Sequence, residues 1–351
     1  MYLTELGDHT NIVKLMGIMS SENGRDLYLV FNYMETDLHA VVRANILEEV
    51  HKQYIVYQLL KALKYIHSAD LIHRDIKPSN LLLNSDCHLR VCDFGLCRSI
   101  KEDESSSTNP VLTDYVATRW YRAPEILLGS THYTRGVDMW AVGCILGEML
   151  LGKPMFPGTS TMNQIDRIME IVGRPSPEDV TAIKSPFAAT MLDNLPPTKP
   201  KPLSKILGDA SAEALDLLRK CLHFNPQVRL TAEKSLCHPL LKKFRNSEDE
   251  PVYGRSLVLK VDDNKKYSAN SYRDRLNREI TRRKKERRRK KEKVENKTTA
   301  KVAAKKIAKS SKNATTTAKD STSELADTLE RTNISSGDKV KVPLTQEHAG
   351  E

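Results

Sequence analysis

Leu71-Ile-His-Arg-Asp-Ile-Lys-Pro-Ser-Asn-Leu-Leu-Leu83, followed shortly by Val91-Cys-Asp-Phe-Gly95, decides the reading of this chain. The first stretch places Asp75, Lys77 and Asn80 in a tight loop that ends in a short apolar strand. The second sets a lone acid, Asp93, between a short apolar run and a glycine that permits an unusual backbone turn. Phosphoryl transfer asks for such parts in this order: a carboxylate to orient an attacking hydroxyl, a cation to neutralise the transferring group, and two oxygen ligands for Mg²⁺. A chance cluster of turn residues is the competing reading, and it leaves the shared order unexplained.

His73-Arg-Asp-x-Lys-x-x-Asn80 followed by Asp93-Phe-Gly95 resembles the protein kinases. The resemblance implies an α+β protein kinase fold that uses ATP and Mg²⁺, with a mainly helical large lobe and only a remnant of the small β lobe. It makes Asp75 the catalytic base, sets Lys77 on the γ-phosphate, and gives the metal to Asn80 and Asp93. It also lays the adenine along the hinge Phe31-Asn32-Tyr-Met34, with Phe31 as gatekeeper, Asp37 toward the ribose and Leu82 as the floor. The kinase pattern includes a Gly-rich loop, a strand lysine and a helix glutamate ahead of these elements. None stands between Met1 and the hinge, so the chain as written is expected to be a poor enzyme. It is also expected to expose apolar surface at Ile12, Val13, Leu29 and Val30.

The net charge is +10 over 351 residues, and its distribution is uneven. From Lys260 onward there are 26 Lys+Arg against 14 Asp+Glu, which leaves 29 against 31 in the remainder. The body is nearly neutral and the basicity belongs to a tail. Six cysteines without C-x-x-C pairs indicate neither a zinc site nor a disulfide framework. No stretch is apolar enough to span a bilayer and the N-terminus lacks a signal-peptide pattern, which points to a reducing, intracellular setting. Cys92 has two readings: a reactive thiol beside the nucleotide, or a small buried apolar residue, and the second is favoured.

Between Asp93 and Glu125 the chain is polar in its middle and then runs Thr113-Asp-Tyr115-Val-Ala-Thr-Arg-Trp-Tyr-Arg-Ala-Pro-Glu125. Two hydroxyls flank one acid, and Arg74, Arg98, Arg119 and Arg122 stand at spacings that can receive phosphate. This pattern resembles the mitogen-activated protein kinases of the extracellular-signal-regulated type, with Asp114 where most members carry Glu. The resemblance implies activation by phosphorylation of Thr113 and Tyr115, by an upstream kinase or by the protein itself. Arg74 and Arg98 would hold the first phosphate, and Arg119 and Arg122 the second. It also implies protein substrates modified at Ser or Thr before Pro.

The rest of the kinase-like body reads as scaffold. Asp138–Leu151 is apolar nearly all round and should be a buried central helix, with Asp138 accepting from the backbone of the catalytic loop. Glu125 and Arg229 are expected to form a buried ion pair. Four regions follow: a small-lobe remnant over 1–30, the large lobe over 31–245, an extension over 246–277 and a basic tail over 278–351. In the extension, Glu248, Asp249 and Glu250 make an acidic patch suited to basic–apolar docking peptides. In the tail, Arg282–Lys291 holds nine basic residues in ten, and the residues beyond it lack apolar periodicity and should be disordered. That run suits nucleic acid, other polyanions, anionic lipid, acidic tubulin tails or a nuclear import receptor. Body plus tail resembles the atypical, tail-bearing branch, fifteenth in the mitogen-activated series. A cytoplasmic and nuclear location, or a cytoskeletal or ciliary one, follows by that resemblance. The alternative reading is a binding module built on a catalytically impaired kinase body, or a tether whose tail is the working part.

Overall fold

The computed structural model describes residues 2–23, 26–100, 118–259 and 267–286, with 288, 289, 292 and 293. Residues 1–276 form one compact unit and 277–351 a second. In the second, 277–286 are helical and carry the ion pairs Glu279–Arg282, Glu279–Arg283 and Glu286–Arg282 at i,i+3 and i,i+4 spacing.

The first unit opens with α1 (Tyr2–Leu6), whose buried Tyr2 and Leu6 turn inward. Two antiparallel strands follow, β1 (Leu15–Ser20) and β2 (Leu27–Phe31), paired from Leu15 opposite Phe31 to Ser20 opposite Leu27 with a bulge between Leu15 and Gly17. Every residue of β2 is exposed, Leu29 at 54% and Val30 at 38%, as the sequence led one to expect. Ile12 and Val13 correct that expectation, for both are buried. Long-range pairing is the physical reason. Val13 N–H donates to Val91 O at 2.9 Å and Val91 N–H donates to Asn11 O at 2.9 Å. The Asn11 amide also donates to Leu89 O and to Gln58 Oε1. The segment therefore joins the sheet of the large lobe, and the exposed hairpin begins only at Leu15.

β3 (Thr36–Asp37) runs straight into α2 (Leu38–Ala44), because the Asp37 carboxylate caps the helix by accepting from Ala40 N–H at 2.9 Å. α3 (Glu49–Ser68) buries eleven of its twenty residues and ends against β4 (Leu71–Ile72). β5 (Leu81–Leu83) is the centre of a three-stranded antiparallel sheet, between β3 and β6 (Leu89–Val91). β4 pairs instead with β7 (Arg98–Ser99). The catalytic-loop stretch thus leaves one small sheet and enters another, which bends it into a tight loop.

After the short α4 (Pro124–Leu127) comes α5 (Gly136–Leu151), with thirteen of sixteen residues buried. Its all-round apolarity makes it the axis of the lobe; Trp140 stacks on Phe156 at 5.8 Å. Then come α6 (Thr161–Val172), α7 (Pro177–Ala182), α8 (Ala188–Asp193), α9 (Leu203–Ile206), α10 (Ala212–Cys221), which packs on α5, and α11 (Ala232–Leu236), which packs on α3. Ser160, Ser176, Ser211 and Thr231 cap α6, α7, α10 and α11, each accepting a backbone N–H in the first turn. No helix among the described residues is long and apolar enough to cross a membrane.

Candidate active site

Asp138 organises the site from below. It is 1% exposed and lies in the first turn of α5. Its Oδ1 accepts from Arg74 N–H at 2.9 Å; its Oδ2 accepts from His73 N–H at 2.9 Å and bonds His67 Nε2 at 2.8 Å. Burial alone would raise its pKa, yet these partners together hold it below the ordinary carboxylate value. One carboxylate thus fixes the backbone on the N-terminal side of Asp75. His73 does the same through its ring, accepting from Asp75 N–H at Nδ1 (3.3 Å) and donating from Nε2 to Cys92 O (3.0 Å). Burial lowers the His73 pKa, so the ring is neutral and can accept at one nitrogen while donating at the other.

Above this base the loop brings its three polar residues together. Lys77 Nζ donates to Asp75 Oδ2 at 2.7 Å, and Asn80 Nδ2 donates to the same oxygen at 3.0 Å and to Asp75 O at 2.8 Å. No described residue donates to Asp75 Oδ1. The Cys92 N–H donates to Asn80 O at 3.0 Å, which joins this loop to the one carrying Asp93. Asp93 is exposed, with φ +59°. The unusual turn that the sequence suggested at Gly95 is therefore made at Asp93. Its Oδ1 accepts from Gly95 N–H at 3.3 Å, the local bond by which an aspartate tolerates the left-handed region.

The donor set fits a small hard cation. The Asn80 amide is oriented by its two N–H bonds to Asp75, which turns Oδ1 away as an acceptor, and Asp93 adds a carboxylate. No group of three or more His, Cys, Asp or Glu suited to a metal exists among the described residues. Two oxygen ligands from the protein suit Mg²⁺, which keeps waters and substrate phosphates for the rest of its shell.

On the nucleotide side, Phe31 ends β2 and Asn32 and Met34 follow in extended chain leading to β3, where Asp37 pairs with Leu82 of β5. Asp37 and Leu82 are thus on paired strands, whereas Phe31 ends a strand of the separate β1–β2 hairpin, and one Asp37 oxygen is already engaged as a helix cap. Cys92 is half-buried; burial and the Asp93 charge push its thiol up to about 11, so it is a protonated packing group.

Of the four arginines, Arg74 and Arg122 line one pocket with Asp75, Leu96, Thr118, Tyr121 and Tyr133. Arg98 donates to Cys97 O at 2.8 Å, and the buried Nε of Arg119 has no partner among the described residues. Thr113 and Tyr115 lie outside the described residues. Glu125 and Arg229 form the expected buried pair, bidentate at 2.7 Å and 2.7 Å, with Arg229 also donating to His223 O, Gly136 O and Phe224 O. In the acidic patch, Asp249 pairs with Lys61, and the buried Glu250 lies 3.5 Å from Lys64. Of the three acids, Glu248 alone lacks an ion pair among the described residues.

Two contacts of the site were not read from sequence. Tyr121 donates to the buried Glu148 at 2.7 Å, and Tyr133 stacks on Arg74. Tyr121 lies in the quoted Thr113–Glu125 stretch but its distant partner is not visible there, and Tyr133 sits in a segment without periodicity, so no local pattern marked it. His67 was readable in principle, as a polar residue on the buried face of α3 in its last turn.

A protein kinase domain model matches residues 1–241. Over 286 residues the chain is 61% identical to extracellular signal-regulated kinase 2 of Dictyostelium discoideum, covering 81% of this chain and 78% of that protein. It is 52% identical over 286 residues to mitogen-activated protein kinase 15 of Xenopus laevis, covering 81% of this chain and 49% of that one. It is 46% identical over 288 residues to mitogen-activated protein kinase 15 of Caenorhabditis elegans, covering 81% and 61%. The chain thus spans from about half to about three quarters of the length of these relatives. By the domain match over most of its length and by these identities, the chain belongs to the protein kinase family and, within it, to the mitogen-activated kinases of the extracellular-signal-regulated type.

Proposed function

We propose that this protein transfers the γ-phosphoryl group of ATP to Ser or Thr hydroxyls of proteins, those followed by Pro, under control of phosphorylation at Thr113 and Tyr115. The observation that carries the reading is the division of labour at Asp75. Lys77 and Asn80 both bond Oδ2, while no described residue donates to Oδ1. Oδ1 accepts the hydrogen of the substrate hydroxyl and orients its oxygen toward the γ-phosphorus. A bond forms from that oxygen to phosphorus, the bond to the β–γ bridging oxygen breaks, and ADP departs. Lys77 neutralises charge on the transferring group, and Asn80 and Asp93 would hold Mg²⁺, which when bound would balance phosphate charge. Buried Asp138 keeps the loop in this shape without touching substrate.

Arg74 and Arg122, on one pocket, support the reading that phosphate on Thr113 or Tyr115 is received beside Asp75. The basic run Arg282–Lys291 is assigned to placing the protein on a polyanionic partner, and Glu248 to the docking of basic peptides. The test is phosphate incorporation from ATP and Mg²⁺ into a generic basic protein. Asp75→Asn should lower it at least about 100-fold, the range set by loss of a general base. An unchanged rate in that variant would refute the proposal, and absence of transfer by the native chain would favour the binding-module reading.

A further inference from the structure

Arg74 ties three parts of the molecule together. Its backbone is in the left-handed region at φ +66°, which a non-glycine residue keeps only where its surroundings hold it. The N–H is held by Asp138, and Nε donates to Leu96 O at 2.7 Å. The guanidinium carbon lies 4.9 Å from the ring centre of Tyr133. Arg74 directly precedes Asp75, and Leu96 follows the Asp93-Phe-Gly turn, so this one side chain spans from the catalytic loop to the metal loop. Tyr133 in turn is presented by a pinned loop. Ser130 Oγ donates to Ile183 O at 2.7 Å and accepts from His132 N–H at 3.1 Å, and Arg135 bonds Asp70 at 2.7 Å just before β4.

A planar guanidinium can use its face and its edge at once: the ring occupies the face while the N–H groups bond in plane. We infer that Tyr133 is a positioning residue, whose ring under Arg74 holds the Asp75 loop to the Asp93 loop before any phosphate arrives. The inference rests on the reading of those loops as the active site.

The test is amide hydrogen exchange by mass spectrometry on the full chain. The reporters are peptides covering 73–76 and 94–98, where Arg74, Asp75, Gly95 and Cys97 N–H groups are hydrogen-bonded. Tyr133→Leu should speed exchange in both by about 3- to 30-fold, the worth of a cation–π contact expressed as an equilibrium ratio. Tyr133→Phe, which keeps the ring, should restore the native rate. Arg74→Lys should loosen 94–98 alike, and the double variant with Tyr133→Leu should go no further than Arg74→Lys alone. Native exchange at 94–98 in Tyr133→Leu, or additive effects in the double variant, would overturn the inference. If Tyr133→Leu also loosens α5, Arg74→Lys decides, because it leaves the ring in place; native exchange at 94–98 there would equally refute it. The expected exchange pattern in a chain that transfers no phosphate would leave this inference standing while the functional proposal fell.

Discussion

Replacing Asp138 by Asn exposes how much the site depends on one buried carboxylate. The two oxygens receive three donors: Arg74 N–H at Oδ1, and His73 N–H with His67 Nε2 at Oδ2. In the Asp138→Asn variant one oxygen becomes an NH₂ group, so in either orientation at least one buried backbone N–H faces a donor. Leaving such a group unpaired costs about 1–3 kcal/mol, and the surviving bonds lose their charge assistance, for a total of about 2–5 kcal/mol. In a lobe of this size that lowers Tm by about 5–15 °C. The pH dependence gives a second check. Asp138 has its folded pKa depressed, so its contribution is present above the unfolded value of about 3.9 and is lost as pH falls through the folded value. The native protein and Asp138→Asn should therefore differ by a constant margin at pH 6 to 8 and converge in acid below about pH 4. Melting followed by circular dichroism at pH 7 and pH 3 measures both. A variant that melts within about 2 °C of native at pH 7 would refute the role given to Asp138.

Glu125→Gln should cost about 3–5 kcal/mol, because Arg229 is left buried with its partner neutralised, and chemical denaturation reads the loss. Paired replacement of Glu125 and Arg229 by Met should recover part of it. Gly143→Ala should cost about 1–3 kcal/mol by overpacking, since the new methyl would lie 2.7 Å from Leu222 Cδ2 and 3.0 Å from Cys221 Cβ at the α5–α10 contact. Cys92 should resist alkylation at pH 7 to 8 and react faster as pH rises toward about 11, whereas rapid labelling at neutral pH would contradict its reading as a packing group.

The site was legible in the sequence where chemistry fixes both residue type and spacing. Asp75, Lys77 and Asn80 fall within six positions, so the loop that joins them is local and could be read directly. Asp138 and the Glu125–Arg229 pair are distant, yet their place beside a catalytic loop or at the start of an apolar helix announced them. What failed did so for want of long-range information. Ile12 and Val13 look like the start of an exposed strand until Asn11 is seen bonding to Leu89 and Val91, nearly eighty residues on. The acidic patch was readable as a charge cluster, but its pairing with Lys61 and Lys64 of α3 was not, because those lysines lie far away in sequence. The backbone turn near Asp93 was assigned to the glycine on propensity, and the aspartate took it because its own carboxylate bonds Gly95 N–H.

The most direct measurement sets nucleotide binding against phosphoryl transfer in the native chain, Asp75→Asn and Asp93→Asn. Mg²⁺-dependent ATP binding is read by calorimetry, and transfer by phosphate incorporation into a basic protein. On the proposed reading Asp75 acts on the substrate hydroxyl, so its variant should bind Mg²⁺–ATP as the native chain does and transfer nothing measurable. On the same reading Asp93 would hold the metal, so its variant should lose Mg²⁺-dependent binding as well as transfer. Equal loss of binding in the two variants, or transfer surviving in Asp75→Asn, would contradict the account.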